Sequence, residues 1–123
     1  MEQGELGKVY QAGEVIVRQG DVGDCMYVIQ DGEVEVFTEQ GGREVHLAVH
    51  GPGAFFGEMA VFDRDVRSAT VRAVGEARIL TIDKKNFMRR VHEDPSLAFR
   101  IVETMSQRIR ELVAEVTRLK SEC

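Results

Sequence analysis

Two hydrophobic rhythms divide the 123 residues. From about Gly13 to Asp83, apolar residues come in short β-branched and aromatic runs separated by glycine-bearing breaks. Val15-Ile16-Val17, Met26-Tyr27-Val28-Ile29 and Val34-Glu35-Val36-Phe37 predict short strands, bounded by Gln19-Gly20-Asp21, Asp31-Gly32 and Gln40-Gly41-Gly42. Asp31-Gly32 between two apolar runs predicts a tight hairpin, because primed turns need the positive φ that glycine adopts without strain. Glu44 to Val49 alternates and answers Val34 to Thr38 across Gly41-Gly42. Val66 to Val74 and Ala77 to Ile82 form a later pair joined at Gly75. So many short strands with regular turns imply a sandwich or barrel, in which layering or closure hides the sheet edges.

From Lys84 the period changes. Asn86 to His92 predicts a short helix, and Asp94-Pro95 restarts the chain with Asp94 as N-cap and Pro95 at the first helical position. Neither glycine nor proline interrupts Ser96 to Lys120, which predicts one long helix of about seven turns. Met105, Ile109, Leu112, Val116 and Leu119 recur at the 4, 3, 4, 3 spacing of a heptad seam, and Ile101 and Val102 extend it toward the N-terminal end. Such a stripe can pack back onto the barrel. A helix longer than the barrel's diameter leaves its outer half for a second copy, so a homodimer through this helix is expected. The whole reads as a single domain over residues 1–123, mainly β with α: a jelly-roll-like barrel over about 10–83, a hinge and short helix over about 84–94, and the dimerisation helix over about 95–120.

Composition narrows the function classes. A net charge of −5 argues against a dedicated nucleic-acid surface, which needs clustered lysine and arginine. No run of about 18 apolar residues offers a membrane span. Met1 to Gly13 is short and acidic without an apolar centre, so it does not read as a signal peptide. The cysteines, Cys25 and Cys123, are far apart, and a cytoplasmic location with both thiols reduced is the plain expectation. A Cys123 bridge across a dimer is the alternative.

Chemistry gathers in one fifteen-residue stretch, Phe56-Gly57-Glu58-Met59-Ala60 followed by Arg67-Ser68-Ala69-Thr70. Arginine presents a rigid fork of donors that matches phosphate oxygens in pairs. Ser68 adds a hydroxyl donor, and Ala69 leaves its N–H unobstructed. N–H groups at the start of a helical turn near Glu58 to Val61 would form a nest for an anion. An ionised Glu58 only accepts hydrogen bonds, which suits a ribose hydroxyl and not the phosphate. Gly57 lets a ligand approach the backbone closely. Against this stands the plain alternative that Arg67 is a surface charge beside Asp63, Arg64 and Asp65.

The run Gly51-Pro52-Gly53-Ala54-Phe55-Phe56-Gly57-Glu58-Met59-Ala60 leading to Arg67-Ser68-Ala69-Thr70 resembles the phosphate-binding cassette of the cyclic nucleotide-binding domain family. That family includes bacterial catabolite activators, regulatory subunits of cyclic-AMP-dependent kinase and gated channels. Upstream, Gly13-Glu14-Val15-Ile16, Gln19-Gly20-Asp21 and Tyr27 to Val34 are similar to the family's barrel entry, so the resemblance runs from about Tyr10 to about Leu119. It implies an eight-stranded jelly-roll-like barrel and a cyclic nucleotide as ligand, cyclic AMP ahead of cyclic GMP, with no cofactor. By the same resemblance Glu58 bonds the ribose 2′-hydroxyl, while Gly57, Met59 and Ala60 offer backbone groups. Arg67 pairs with the cyclic phosphate, supported by Ser68 and Ala69, and Phe56 anchors the cassette in the core.

The resemblance further implies that the long helix contributes to base recognition and moves on binding, with Arg108 near the base. Leu112 and Val113 stand where the activators carry a Thr-Ser pair that bonds adenine, and Ser68 stands where some cyclic-GMP binders carry threonine. Guanine therefore stays open. The activators continue into a helix-turn-helix domain after this helix; without one in these residues, either output runs through a separate effector protein or these residues are a piece of a longer chain.

Rival classes fit less well. A cupin-type metal enzyme would draw on His46, His50 and Glu58, but histidines four apart on a strand are about 13 Å apart. His92, near a helix end, reads as a solvent or dipole contact. Haem or iron–sulfur chemistry needs a cysteine cluster or an axial pair, and no Ser-His-Asp arrangement or Walker loop is visible, so no catalytic residue is expected. A degenerate domain kept for docking or dimerisation would have no need of both Glu58 and Arg67.

Overall fold

The short alternating runs become ten strands among the described residues: β1 (Lys8–Tyr10), β2 (Val15–Val17), β3 (Val22–Gly23), β4 (Cys25–Asp31), β5 (Val34–Gln40), β6 (Arg43–His50), β7 (Phe55–Phe56), β8 (Asp65–Val66), β9 (Thr70–Ala73) and β10 (Ala77–Asp83). Helix α1 (Met59–Phe62) follows β7, and α2 (Lys84–Glu93) and α3 (Ser96–Ser121) follow β10. The computed structural model describes residues 6–62 and 65–122. Cys123, with its expected thiol or cross-dimer bridge, lies outside them, as do Asp63 and Arg64; Cys25 is a free thiol. The chain divides into two compact units, Met1–Asn86 and Phe87–Cys123.

Two four-stranded antiparallel sheets, ordered β1-β10-β4-β7 and β2-β9-β5-β6, supply the eight strands of a jelly roll. They are two separate hydrogen-bonded layers and not one closed cylinder, and a two-stranded ribbon pairs β3 with β8. Inward residues of both layers meet in one core: Tyr10, Ile29, Phe56, Ala77 and Ile79 from the first, Val17, Val34, Val71 and Ala73 from the second. Burying both inner faces against each other is what gives a sandwich most of its stability.

The β5–β6 hairpin forms as the pattern predicts. Gln40 pairs with Arg43, and Gly41 and Gly42 turn the chain at φ of 59° and 82°. The other two expected hairpins do not form. β4 and β5 lie in different sheets, and so do β9 and β10, so Asp31-Gly32 and Val74 to Glu76 are corners that carry the chain between layers. Local sequence specifies the turn, whereas strand pairing is decided by which layer buries each apolar set. The corners pack on each other: Val74 N–H donates to the Glu33 carbonyl at 3.0 Å. A Cβ on Gly32 (φ 83°) would fall 2.4 Å from the Glu76 carbonyl oxygen. The expected strand Val66 to Val74 is also interrupted, because Arg67 to Ala69 leave the ladder between β8 and β9. β1, β3 and β7 are too short for any periodic signal.

On the second sheet, Arg72 of β9 stitches three strands. It donates to Glu35 of β5 at 2.9 Å and to Glu44 of β6 at 3.0 Å, over the Phe37 ring. The hydrogen bond from Arg72 holds the Glu35 carboxyl below its ordinary range.

In the helical unit, Phe87 of α2 and Ile101 of α3 are buried. The Asp83 carboxylate accepts from the Asn86 N–H at 2.8 Å, which starts α2 two residues earlier than the pattern suggested. Pro95 is already helical (φ −58°, ψ −21°) ahead of α3. The Asp94 carboxylate accepts from Ser96 N–H at 3.2 Å and Oγ–H at 2.6 Å, while its carbonyl accepts from Leu97 N–H. Ile109, Leu112, Val113, Val116 and Leu119 are all exposed on α3.

Candidate functional site

The cassette starts where β7 ends. Phe56 is buried in the core and its ring stacks on Tyr27, the facing residue of β4, with centroids 5.1 Å apart. The expected anchoring role of Phe56 is therefore seen. Gly57 then turns the chain at φ 76°, a left-handed conformation that only glycine adopts at no cost. Glu58, nine-tenths buried, leads into α1. Met59 is exposed and Ala60 is buried.

Arg67 is as buried as Glu58, with 9% of its surface exposed, so it is not a solvated surface charge. Its side chain turns inward from the gap between β8 and β9. Nη2 donates to the Cys25 carbonyl at 2.8 Å and Nη1 to the Gly57 carbonyl at 3.3 Å. The guanidinium lies over the Tyr27 ring, 5.6 Å from its centroid. One structural train thus links the core to the arginine: Phe56 fixes Tyr27, and Tyr27 carries Arg67. Burial pushes the Tyr27 hydroxyl well above its ordinary range, and the hydrogen bond from the Cys25 thiol, at 3.4 Å, adds to the rise. The ring is accordingly neutral at working pH, with its electron-rich face available to the cation.

Of the expected site residues, Gly57, Glu58 and Arg67 come together, since the guanidinium is bonded to the residue directly before Glu58. Ser68 is exposed and Ala69 half-buried, both next to Arg67 outside the ladder. The N–H groups of Ala60 and Val61 donate to the carbonyls of Gly57 (3.2 Å) and Glu58 (3.1 Å) and close the α1 turn. Arg108 is half-buried on α3, in the helical unit. His46 and His50 both lie on β6, where His46 Nδ1 is 3.4 Å from Glu35. Among the described residues no three His, Cys, Asp or Glu side chains gather closely enough to hold a metal ion. No helix among them is long and apolar enough to cross a membrane.

Sequence reasoning missed Gly23, Cys25 and Tyr27 as neighbours of Arg67. A cavity of about 270 Å³ opens there, lined by these four residues, by β2, and by Arg18, Asp21, Val22 and Asp24. The signal was the repeated Gly-Asp pair, Gly20-Asp21 and Gly23-Asp24, in which the second glycine lies in a strand where no turn requires it.

Fold and site define a jelly roll built to take a small ligand, with a cassette that buries one arginine and one carboxylate. Residues 7–94 match the model of the cyclic nucleotide-binding domain, and the chain belongs to that family. It is 34% identical over 116 residues to the cyclic AMP receptor protein of Thermus thermophilus, covering 94% of this chain and 54% of that protein. It is 44% identical over 81 residues to the cAMP-dependent protein kinase regulatory subunit of Schizosaccharomyces pombe, covering 66% of this chain and 19% of that one. The crystal structure of the Thermus thermophilus catabolite activator protein superposes with a TM-score of 0.84 at 33% identity, over 92% of this chain and 54% of that one. The chain therefore spans about half the length of the bacterial relative and about a fifth of the kinase subunit.

Proposed function

We propose that this chain is a non-enzymatic cytoplasmic sensor that binds cyclic AMP in preference to cyclic GMP and passes its occupancy to α3, and through α3 to a separate effector protein. The observation that carries the reading is Arg67, a guanidinium nine-tenths buried and bonded to the Gly57 carbonyl of the cassette. A cation so placed suits a ligand with a compact anionic group.

Arg67 takes the cyclic phosphate, with the Ser68 hydroxyl and the Ala69 N–H beside it. Glu58 accepts from the ribose 2′-hydroxyl, and Gly57 and Met59 line the sugar. Ala60 offers a backbone group to the sugar and phosphate alongside them. The two carbonyls that hold Arg67 keep its fork aimed before ligand arrives, which lowers the ordering cost of binding. Relatives named for cyclic AMP support adenine as the base. Coupling requires that the nucleotide bind one arrangement of α3 more tightly than another, since a ligand shifts an equilibrium only through differential affinity.

Calorimetric isotherms for cyclic AMP, cyclic GMP and linear 5′-AMP test the reading. Cyclic AMP is expected to bind tightest, and linear AMP weakest because its dianionic 5′-phosphate and free 3′-hydroxyl lack the compact shape of the cyclic monoanion. Failure of both cyclic nucleotides at millimolar concentration sinks the proposal. The exposed α3 stripe is proposed as a homodimer seam. Leu112→Glu should then halve the mass seen by light scattering, because a carboxylate at a buried seam position is left unpaired. Equal masses for variant and wild type would remove the seam.

A further inference from the structure

We infer that Gly23 is a positioning residue for the arginine of the cassette, and that the Gly20 to Gly23 segment serves as a cradle for Arg67. The inference deepens the proposed nucleotide site and rests on Arg67 as its phosphate ligand.

The cradle grips the backbone first. Arg67 N–H donates to the Asp21 carbonyl at 2.7 Å, and Gly20 N–H donates to the Arg67 carbonyl at 2.9 Å. The β3–β8 ribbon continues the grip, pairing Val22 with Val66 and Gly23 with Asp65. Gly23 then faces the side chain. A Cβ built on it would lie 2.2 Å from Arg67 Nε, 2.3 Å from Cζ and 2.5 Å from Nη2, all far inside contact distance. The guanidinium therefore occupies the volume that any side chain at position 23 would fill. Glycine weakens a strand, and its use there marks a close approach.

The same geometry separates this role from ordinary packing. Gly23 is not among the glycines with positive φ, so alanine there brings no backbone strain. The atoms it would strike are the far end of a flexible side chain, and no backbone atom is among the three nearest. The least costly response is for the guanidinium to swing away and give up the Cys25 carbonyl, leaving the strands as they are. Gly23→Ala should thus keep the fold and misplace the arginine. Gly75 is the control, since a Cβ there meets nothing within 4 Å and its φ is unremarkable.

The test has two arms. In the first, calorimetry with cyclic AMP and cyclic GMP compares wild type, Gly23→Ala, Gly75→Ala, Arg67→Ala and the Gly23→Ala/Arg67→Ala double variant, with urea midpoints measured alongside. Gly23→Ala is expected to weaken binding by about thirtyfold or more at a nearly unchanged midpoint. In the Arg67→Ala background it should add less than about twofold, because the partner it positions is gone. An equal loss in both backgrounds, or wild-type affinity in Gly23→Ala, overturns the inference. In the second arm, the Arg67 Nε–H resonance is followed without nucleotide, assigned by its loss in Arg67→Ala. It should move in Gly23→Ala and stay in Gly75→Ala; a resonance unmoved in Gly23→Ala overturns the cradle. If the resonance moves while wild type binds neither nucleotide, the cradle stands and the nucleotide reading falls.

Discussion

Arg67→Ala weakens cyclic-nucleotide binding by about 2–5 kcal/mol, roughly thirtyfold to several thousandfold, the largest effect expected of any single cassette residue. The magnitude follows from burial. With 9% of Arg67 exposed, a phosphate beside it loses much of its water and needs the guanidinium in exchange. Removing the arginine leaves that anion desolvated and unpaired, and it also releases the carbonyls of Gly57 and Cys25 that the fork now satisfies. Arg67→Lys should recover only part of the loss, since an ammonium does not present two parallel donors and cannot bridge both carbonyls with the same geometry. Calorimetry reads the affinities, and thermal melts of the ligand-free variants separate lost contacts from lost folding. An Arg67→Ala protein that binds as tightly as wild type would remove the phosphate site.

The second large effect is on stability. Ile79→Ala should cost about 2–5 kcal/mol, against a total of about 5–15 kcal/mol for a domain of this kind. Ile79 is fully buried in β10, an inner strand of its sheet, paired with Lys8 on one side and Ile29 on the other. The surroundings cannot readily collapse into the space left behind. Gly7 already sits so close that a Cβ on it would come 2.2 Å from the Ile79 carbonyl oxygen, which leaves the backbone little room to shift. A cavity that stays open is the costly kind. Leu47→Ala, at a side chain 55% exposed on β6, is the comparison and should change little. Urea denaturation distinguishes the two. A midpoint for Ile79→Ala close to that of Leu47→Ala would mean that the core is not centred where the two sheets meet.

Much of the molecule was legible in the chain. The change of rhythm near Lys84 marks where β structure gives way to helix, and the structure places α2 there. Gly41-Gly42 favours the tight β5–β6 hairpin because glycine takes two successive positive φ values without strain. Phe56-Gly57-Glu58 and Arg67 carry the resemblance to the family's cassette, and residues 7–94 match the family model. The corners were misread for a physical reason. Asp31-Gly32 is chemically a turn, but a turn residue encodes local φ and ψ and not the sheet that the next strand joins. That choice belongs to the burial of Ile29 and Val34 in opposite layers of one core.

By itself, then, the amino-acid sequence determined the kinds of element, the one hairpin whose Gly-Gly loop takes a tight turn without strain, and the chemical character of the cassette. Each of these depends on residues that are neighbours along the chain. Only the tertiary structure decided which strands share a sheet, that Ala60 and Val61 use their N–H groups in the α1 turn, and how Arg67 is held. The arginine reaches the Cys25 carbonyl across 42 positions of sequence and fills the space that Gly23 leaves empty. No local pattern records such a contact, because it arises from the ribbon pairing of β3 with β8 and from the packing of Tyr27 on Phe56. The chain supplies the guanidinium; the fold alone fixes where it points.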